Sequence, residues 1–301
     1  MNPKQTSGVY AAILTPRNPD DSIDVPALSA LIKFLLAKDV SRFAINGATG
    51  EFCLTTPQQL HTLLSAVKEI SEGGAEILCG IGAAGIPQAI ALASVAQQLG
   101  VQGLLLPMPY FFPYQQQDLE AFCRTVAAST KLPILLYNLP QFTSGLEKET
   151  VRTLITEVPN IIGIKDSSGS LEILRYLTTH NVDACRMVGN DSALAPAMLE
   201  GVLDGVVSGV ACAMPEVIQS LYAQLGNTDS PEFDSASRAL SEFIEQLNIF
   251  PTPWGLKWIV ETRGIVKANF SQPVTSKRLA QAAAMKEWFA SWQPQFTSAT
   301  P

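Results

Sequence analysis

The chain has 301 residues, with 27 acidic side chains against 20 basic ones and a formal net charge of −7. This balance leaves no basic stripe, which argues against nucleic acid or an anionic membrane surface as a partner. No segment approaches about 18 uninterrupted apolar residues, and Met1 to Thr6 lack an apolar signal core, so a soluble cytoplasmic protein is expected.

Along the chain, short apolar runs recur with helix-like stretches between them. They are Val9 to Thr15, Arg42 to Asn46, Glu76 to Gly80, Gly103 to Pro107, Pro133 to Tyr137, Ile161 to Lys165, Arg186 to Gly189 and Gly205 to Ser208. Leu104-Leu105-Leu106 and Ile134-Leu135-Leu136 have the continuous apolar character of strands covered on both faces. Leu28, Leu31, Ile32 and Leu35, then Leu60, Leu63, Leu64 and Val67, carry helical spacing. Asp24 before Pro26 and Thr56 before Pro57 mark helix starts, and Gln115 to Asp118 open a third helical run. Eight such units predict an α/β fold, a closed (β/α)8 TIM barrel, because an open doubly wound sheet usually has fewer.

From about Ser230 the strands stop. Ala239, Phe243 and Leu247 recur every four residues, Trp254 to Val260 carries an apolar face, and Lys277 to Trp292 is rich in Ala, Met and Trp. The expectation is a barrel over 1–229 and a C-terminal helical extension over 230–301 packed on it, with no linker between them.

The five cysteines, Cys53, Cys79, Cys123, Cys185 and Cys212, have no CxxC spacing and read as buried free thiols of a reducing compartment. Only two histidines exist, His61 and His180, both placed inside outer helices, so no metal site is expected. There is no P-loop and no GxGxxG opening a first βαβ unit, so nucleotide binding has no support.

In a barrel of this kind the chemistry sits at the C-terminal ends of the strands. The second run ends Asn46-Gly47-Ala48-Thr49-Gly50-Glu51, where glycines let backbone N–H groups converge on a carboxylate or phosphate. A plain glycine turn is the rival explanation. Tyr137 closes the fifth run and Lys165 the sixth. Neighbouring strands lie roughly 4.8 Å apart, so a phenol and an amine at equivalent ends reach one substrate. An amine held against apolar surroundings is desolvated as a cation and becomes available as a neutral nucleophile, which points to a Schiff base with a carbonyl compound, with the phenol as general acid and base. Otherwise, Lys165 only marks a strand's exit to solvent and Tyr137 is a core aromatic.

The set Gly47-Ala48-Thr49-Gly50-Glu51, Tyr137-Asn138-Leu139-Pro140 and Gly163-Ile164-Lys165-Asp166 resembles the dihydrodipicolinate synthase and N-acetylneuraminate lyase superfamily of class I pyruvate-dependent aldolases. The motif order matches from about Val9 to Ala213. The resemblance implies a homotetramer built from dimers, pyruvate or another 2-oxo acid as small-molecule substrate, and no cofactor. It makes Lys165 the imine lysine, Tyr137 the proton relay, Ala48 and Thr49 the amides that hold the carboxylate, and the Thr49 hydroxyl a member of the relay.

The departures bear on the second substrate. The synthase branch has an arginine two residues after its Tyr-Asn-x-Pro motif, where this chain has Phe142, which cannot grip a carboxylate. Synthase-like members place a tyrosine from a neighbouring subunit where this chain has Tyr110-Phe111, although the aromatic run can equally be a dimer contact. In the lyase branch, positions resembling Ser167, Gly189, Asp191 and Ser208 contact the sugar-acid chain; for Asp191 the competing role is an N-cap on the helix from Ala193. These residues favour a lyase that cleaves or forms a 2-keto-3-deoxy sugar acid or related hydroxy-oxo acid. The alternatives are 4-hydroxy-tetrahydrodipicolinate synthase, which condenses pyruvate with aspartate semialdehyde, a dehydratase using the same imine, and a non-catalytic 2-oxo-acid-binding paralogue.

Overall fold

Eight parallel strands close into a barrel in chain order, each paired with the next and the last with the first. A computed structural model describes residues 6–293. Residues 1–5 and 294–301, the outer ends of the two expected segments, lie outside the described residues, as does most of the stretch from Met1 to Thr6. The strands are β1 (Gly8–Ala12), β2 (Arg42–Ile45), β3 (Glu76–Gly80), β4 (Gly103–Pro107), β5 (Ile134–Asn138), β6 (Ile161–Asp166), β7 (Cys185–Val188) and β8 (Gly205–Ser208). Every expected apolar run holds a strand with ends within one residue, except that the first begins one residue earlier and ends at Ala12, leaving Ile13 to Thr15 as loop.

The helices between the strands are α1 (Val25–Leu36), α2 (Pro57–Ile70), α3 (Ile86–Gln98), α4 (Gln116–Ala128), α5 (Lys148–Glu157), α6 (Glu172–Thr179) and α7 (Leu194–Glu200). Their starts follow from short-range chemistry. Asp24 accepts from the Ala27 amide at 3.0 Å, and Thr56 and Gln59 form a reciprocal capping box with Pro57 at the first helical position. At the start of α4 the Asp118 side chain accepts from the Gln115 amide at 3.0 Å. Leu28, Leu31, Ile32 and Leu35 of α1 are fully buried against the strands, as their spacing requires.

Two short helices, α8 (Val210–Ala213) and α9 (Pro215–Tyr222), follow β8. The extension then forms α10 (Pro231–Leu247), α11 (Trp254–Thr262) and α12 (Ser276–Trp292). Phe243 stacks on Trp292 at 5.3 Å, closing α10 on α12. Arg263, at the end of α11, reaches Glu216 of α9 at 2.8 Å and the Ala213 carbonyl at 2.6 Å, fastening the extension to the barrel.

Inside the barrel, Tyr10, Leu78, Leu105, Leu135, Tyr137 and Met187 belong to a core separate from the larger one between strands and helices. Two sequence expectations need correction. Cys53 is exposed rather than buried like the other four cysteines, because in the 3-10 turn Phe52–Leu54 it is Phe52 that turns inward. His180 caps α6 instead of lying inside it, and His180 and His61 both face solvent.

No described helix is long and apolar enough to cross a membrane.

Candidate active site

Lys165 lies near the C-terminal end of β6, facing into the barrel with 3% of its surface exposed. Strand register puts it directly beside Tyr137 of β5, and its Nζ sits 3.8 Å from the centre of the Tyr137 ring. A register shift between Ile134 and Leu135 makes this pairing, since the spacing set by Ile134 opposite Ile161 would bring Tyr137 opposite Ile164. Past the strand ends the ladder continues: the Ser167 amide donates to the Asn138 carbonyl and the Gly189 amide to the Asp166 carbonyl, both at 2.8 Å. Asn138 and Asp166, one residue beyond the tyrosine and the lysine, are joined at 3.0 Å through Nδ2 and Oδ1.

Gly189 makes room for the amine. A Cβ there would lie 2.6 Å from Lys165 Cε and 2.1 Å from Ser167 Oγ, so the lysine stem and the serine hydroxyl occupy the space that a side chain would take. Ser167 Oγ is buried with no hydrogen-bond partner, placed to receive one from a ligand.

Opposite, the turn Asn46 to Glu51 forms the expected concavity. The amides of Gly50 and Phe52 donate to the Gly47 carbonyl and that of Glu51 to the Ala48 carbonyl, which leaves the amides of Ala48 and Thr49 over for an anion. Gly80 on β3 lets this turn approach, because a Cβ there would lie 2.0 Å from the Asn46 carbonyl oxygen.

Asp191 lies in a 3-10 turn after β7. The helix-capping role falls to Asn190, whose side chain accepts from the Ser192 amide at 3.1 Å. Asp191 Oδ2 instead accepts from the Val210 amide at 3.1 Å, while its Oδ1 is enclosed without a partner. Burial pushes this carboxyl above the usual carboxylate range, against the pull of the Ser208 hydroxyl, the Val210 amide, the Lys165 charge and the Gly209 amide.

A cleft of about 350 Å³ joins Ala48, Thr49, Tyr137, Lys165, Ser167, Gly189 and Asp191. Tyr110, Phe111 and Ser208 do not line it. Ser208 is fully buried behind Asp191, its hydroxyl accepting from the Ala211 amide at 2.9 Å. Tyr110 packs its ring on Phe52 at 5.9 Å, and Phe111 projects outward, 83% exposed, with a backbone φ of 87°.

The outer wall was not legible in the sequence. It comes from the extension: Ile244, Leu247, Asn248, Phe250, Thr252 and Leu256 all face the cleft, joined by Gln141 and Phe142 from the loop after β5. The extension's residues lie about 80 or more positions from Lys165 and carry no motif; the apolar faces of α10 and α11 gave packing but not its target. Among the described lining residues, Lys165 and Asp191 are the only charged ones.

The sequence model of the dihydrodipicolinate synthetase family matches residues 5–290. A 4-hydroxy-tetrahydrodipicolinate synthase from Azoarcus sp. (strain BH72) is 31% identical over 271 residues, covering 89% of this chain and 92% of that protein. The fold is shared with the chloride-inhibited dihydrodipicolinate synthase from Acinetobacter baumannii complexed with pyruvate (TM-score 0.88, 24% identity, 95% of this chain and 99% of that one). It is also shared with the N-acetylneuraminate lyase from Mycoplasma synoviae (TM-score 0.80, 20% identity, 93% and 97%). The chain therefore belongs to the dihydrodipicolinate synthetase family, whose members are class I, pyruvate-dependent aldolases and lyases.

Proposed function

We propose that this protein condenses pyruvate with an aldehyde through an imine on Lys165. The observation that carries the reading is the buried Lys165 amine over the Tyr137 ring, in one cleft with the spare amides of Ala48 and Thr49. The amine attacks the keto carbon of pyruvate, a carbon–nitrogen bond forms, and water leaves. The protonated imine draws electrons from the adjacent methyl carbon, which loses a proton to become an enamine. That carbon bonds to the aldehyde carbon, the aldehyde oxygen takes a proton relayed by Tyr137 and the Thr49 hydroxyl, and hydrolysis of the imine frees the lysine. Ala48 and Thr49 hold the pyruvate carboxylate throughout, and Ser167, Gly189 and Asp191 border the aldehyde half.

For the aldehyde, the names of the relatives favour aspartate semialdehyde, the 4-hydroxy-tetrahydrodipicolinate synthase reaction, over the sugar-acid cleavage expected first from the sequence. One observation favours the sugar-acid reading: Phe142 faces the cleft and no second cation lines it, so a second carboxylate finds no partner there. We place the protein in the cytoplasm as a homotetramer built from dimers; the exposed aromatic pair Phe111 and Phe112, in edge contact at 4.9 Å, supports a subunit contact at that point.

Incubation with pyruvate and borohydride, followed by intact-protein mass, tests the imine. One reduced pyruvate is expected on the wild type and none on Lys165→Ala; no adduct on either would sink the reading. Turnover with aspartate semialdehyde set against a panel of 2-keto-3-deoxy sugar acids then decides the aldehyde.

A further inference from the structure

We infer that Glu51 and Lys257 are a positioning pair through which the C-terminal extension sets the shape of the carboxylate-holding turn, and with it the affinity for the 2-oxo acid. The inference rests on the proposed imine reading, in which the amides of Ala48 and Thr49 receive that carboxylate.

The turn is bracketed by two residues with side chains in the left-handed region, Asn46 at φ 59° and Glu51 at φ 55°. Sterics disfavour this conformation for anything but glycine, and asparagine tolerates it better than glutamate. Each is therefore held by something outside the turn. Asn46 is held from β3, its Nδ2 donating to the Gly80 carbonyl at 2.8 Å. Glu51 is held from α11: Lys257 Nζ lies 2.5 Å from its Oε2, with only 10% and 11% of the two side chains exposed. Ser271 donates to the other carboxylate oxygen at 3.4 Å. Lys257 is fixed in turn by the Asn269 carbonyl at 2.9 Å, and Asn269 Nδ2 donates to the Arg17 carbonyl at 2.5 Å.

The connection from Glu51 to the anion site is short. The Glu51 amide donates to the Ala48 carbonyl, so the residue whose side chain Lys257 grips also closes the loop that aims the Ala48 and Thr49 amides. The extension and the turn also come near one another at Gly209, where Thr49 Oγ1 and Leu256 Cδ1 lie 3.3 Å and 3.2 Å from where its Cβ would be. A buried ion pair is weak evidence for stability in itself, because desolvation offsets most of its attraction. A register-setting role gives this one a use: it fixes a strained backbone at the position where a ligand's charge is received.

The test uses the full chain. For the wild type, Lys257→Met, Glu51→Gln, Lys257→Arg and the double variant Glu51→Gln with Lys257→Met, one measures the pyruvate concentration that gives half-maximal borohydride-trapped adduct, the adduct at saturation, and the thermal midpoint. Lys257→Met and Glu51→Gln are each expected to raise half-saturation about tenfold, with adduct still reaching Lys165 at saturation. Lys257→Arg should restore most of the affinity, and the double variant should be no worse than either single one, because both remove one interaction. A lowered thermal midpoint with half-saturation unchanged overturns the inference and leaves the imine reading intact. Absence of adduct on the wild type overturns both. Should Lys257→Met not fold, the near-isosteric Glu51→Gln carries the same measurement.

Discussion

Gly189 shows how a residue without a side chain governs where the Lys165 stem lies. Neither its backbone angle nor a turn requires glycine there; the requirement comes from the Lys165 stem and the Ser167 hydroxyl, which fill the volume of a side chain. Gly189→Ala should push the amine off its place over the Tyr137 ring, and misplacement of a reacting group by about 1 Å costs on the order of 100-fold in rate. The expected result is a loss of about that size in kcat/KM for pyruvate consumption, with the folded content unchanged by circular dichroism. At this scale the sequence was informative where a residue ends an apolar run, as Lys165 and Tyr137 do, since strand ends in a barrel are positions of known meaning. For Asp191 it offered a substrate contact by resemblance or a helix cap, and gave no sign that the carboxylate would meet Val210 and Ser208 at the next strand's end.

Strands and helices were legible because their signals are local: apolar continuity under two covered faces, and caps such as Asp24 and Thr56. Register was not. The irregularity after Ile134 that sets Tyr137 opposite Lys165 has no mark in the sequence; Gly163 beside it is required from the other side, where a Cβ would lie 2.0 Å from the Cys185 carbonyl oxygen of β7. How helices attach was equally hidden. Arg263 and Glu216 meet across 47 positions, the arginine side chain only 7% exposed. Burial pushes the Glu216 carboxyl up, but the Arg263 hydrogen bond and charge, with Lys38, hold it on balance below the usual range. Its folded pKa is thus depressed, so its contribution is complete above the ordinary carboxylate value of about 4.3 and is lost as pH falls through the folded value. Glu216→Ala leaves the guanidinium buried without its carboxylate and is expected to cost about 3 kcal/mol at neutral pH. Denaturant unfolding over a pH series should show that deficit shrinking in acid.

Across the whole molecule the two expected segments share one cleft, since residues from Ala12 to Leu256 line it together. All four tryptophans, Trp254, Trp258, Trp288 and Trp292, belong to the extension, whereas the strands belong to the barrel. Tryptophan fluorescence therefore reports on the extension alone, whereas far-ultraviolet circular dichroism reports on the helices and strands of the whole chain. We expect their denaturant midpoints to coincide, as for one cooperative unit; an earlier fluorescence transition would make the extension an independently melting domain.

The grip of Lys257 on Glu51 joins residues 206 positions apart, and that of Asn269 on Arg17 joins residues 252 apart. During translation, when chains emerge at about 5–20 residues per second, all eight strands are made before either contact can form. A ribosome-bound chain with its barrel already closed thus carries the lysine and the tyrosine without the pinned turn or the outer wall. The Lys165 amine thus meets the completed cleft only once nearly the whole polypeptide has been synthesised.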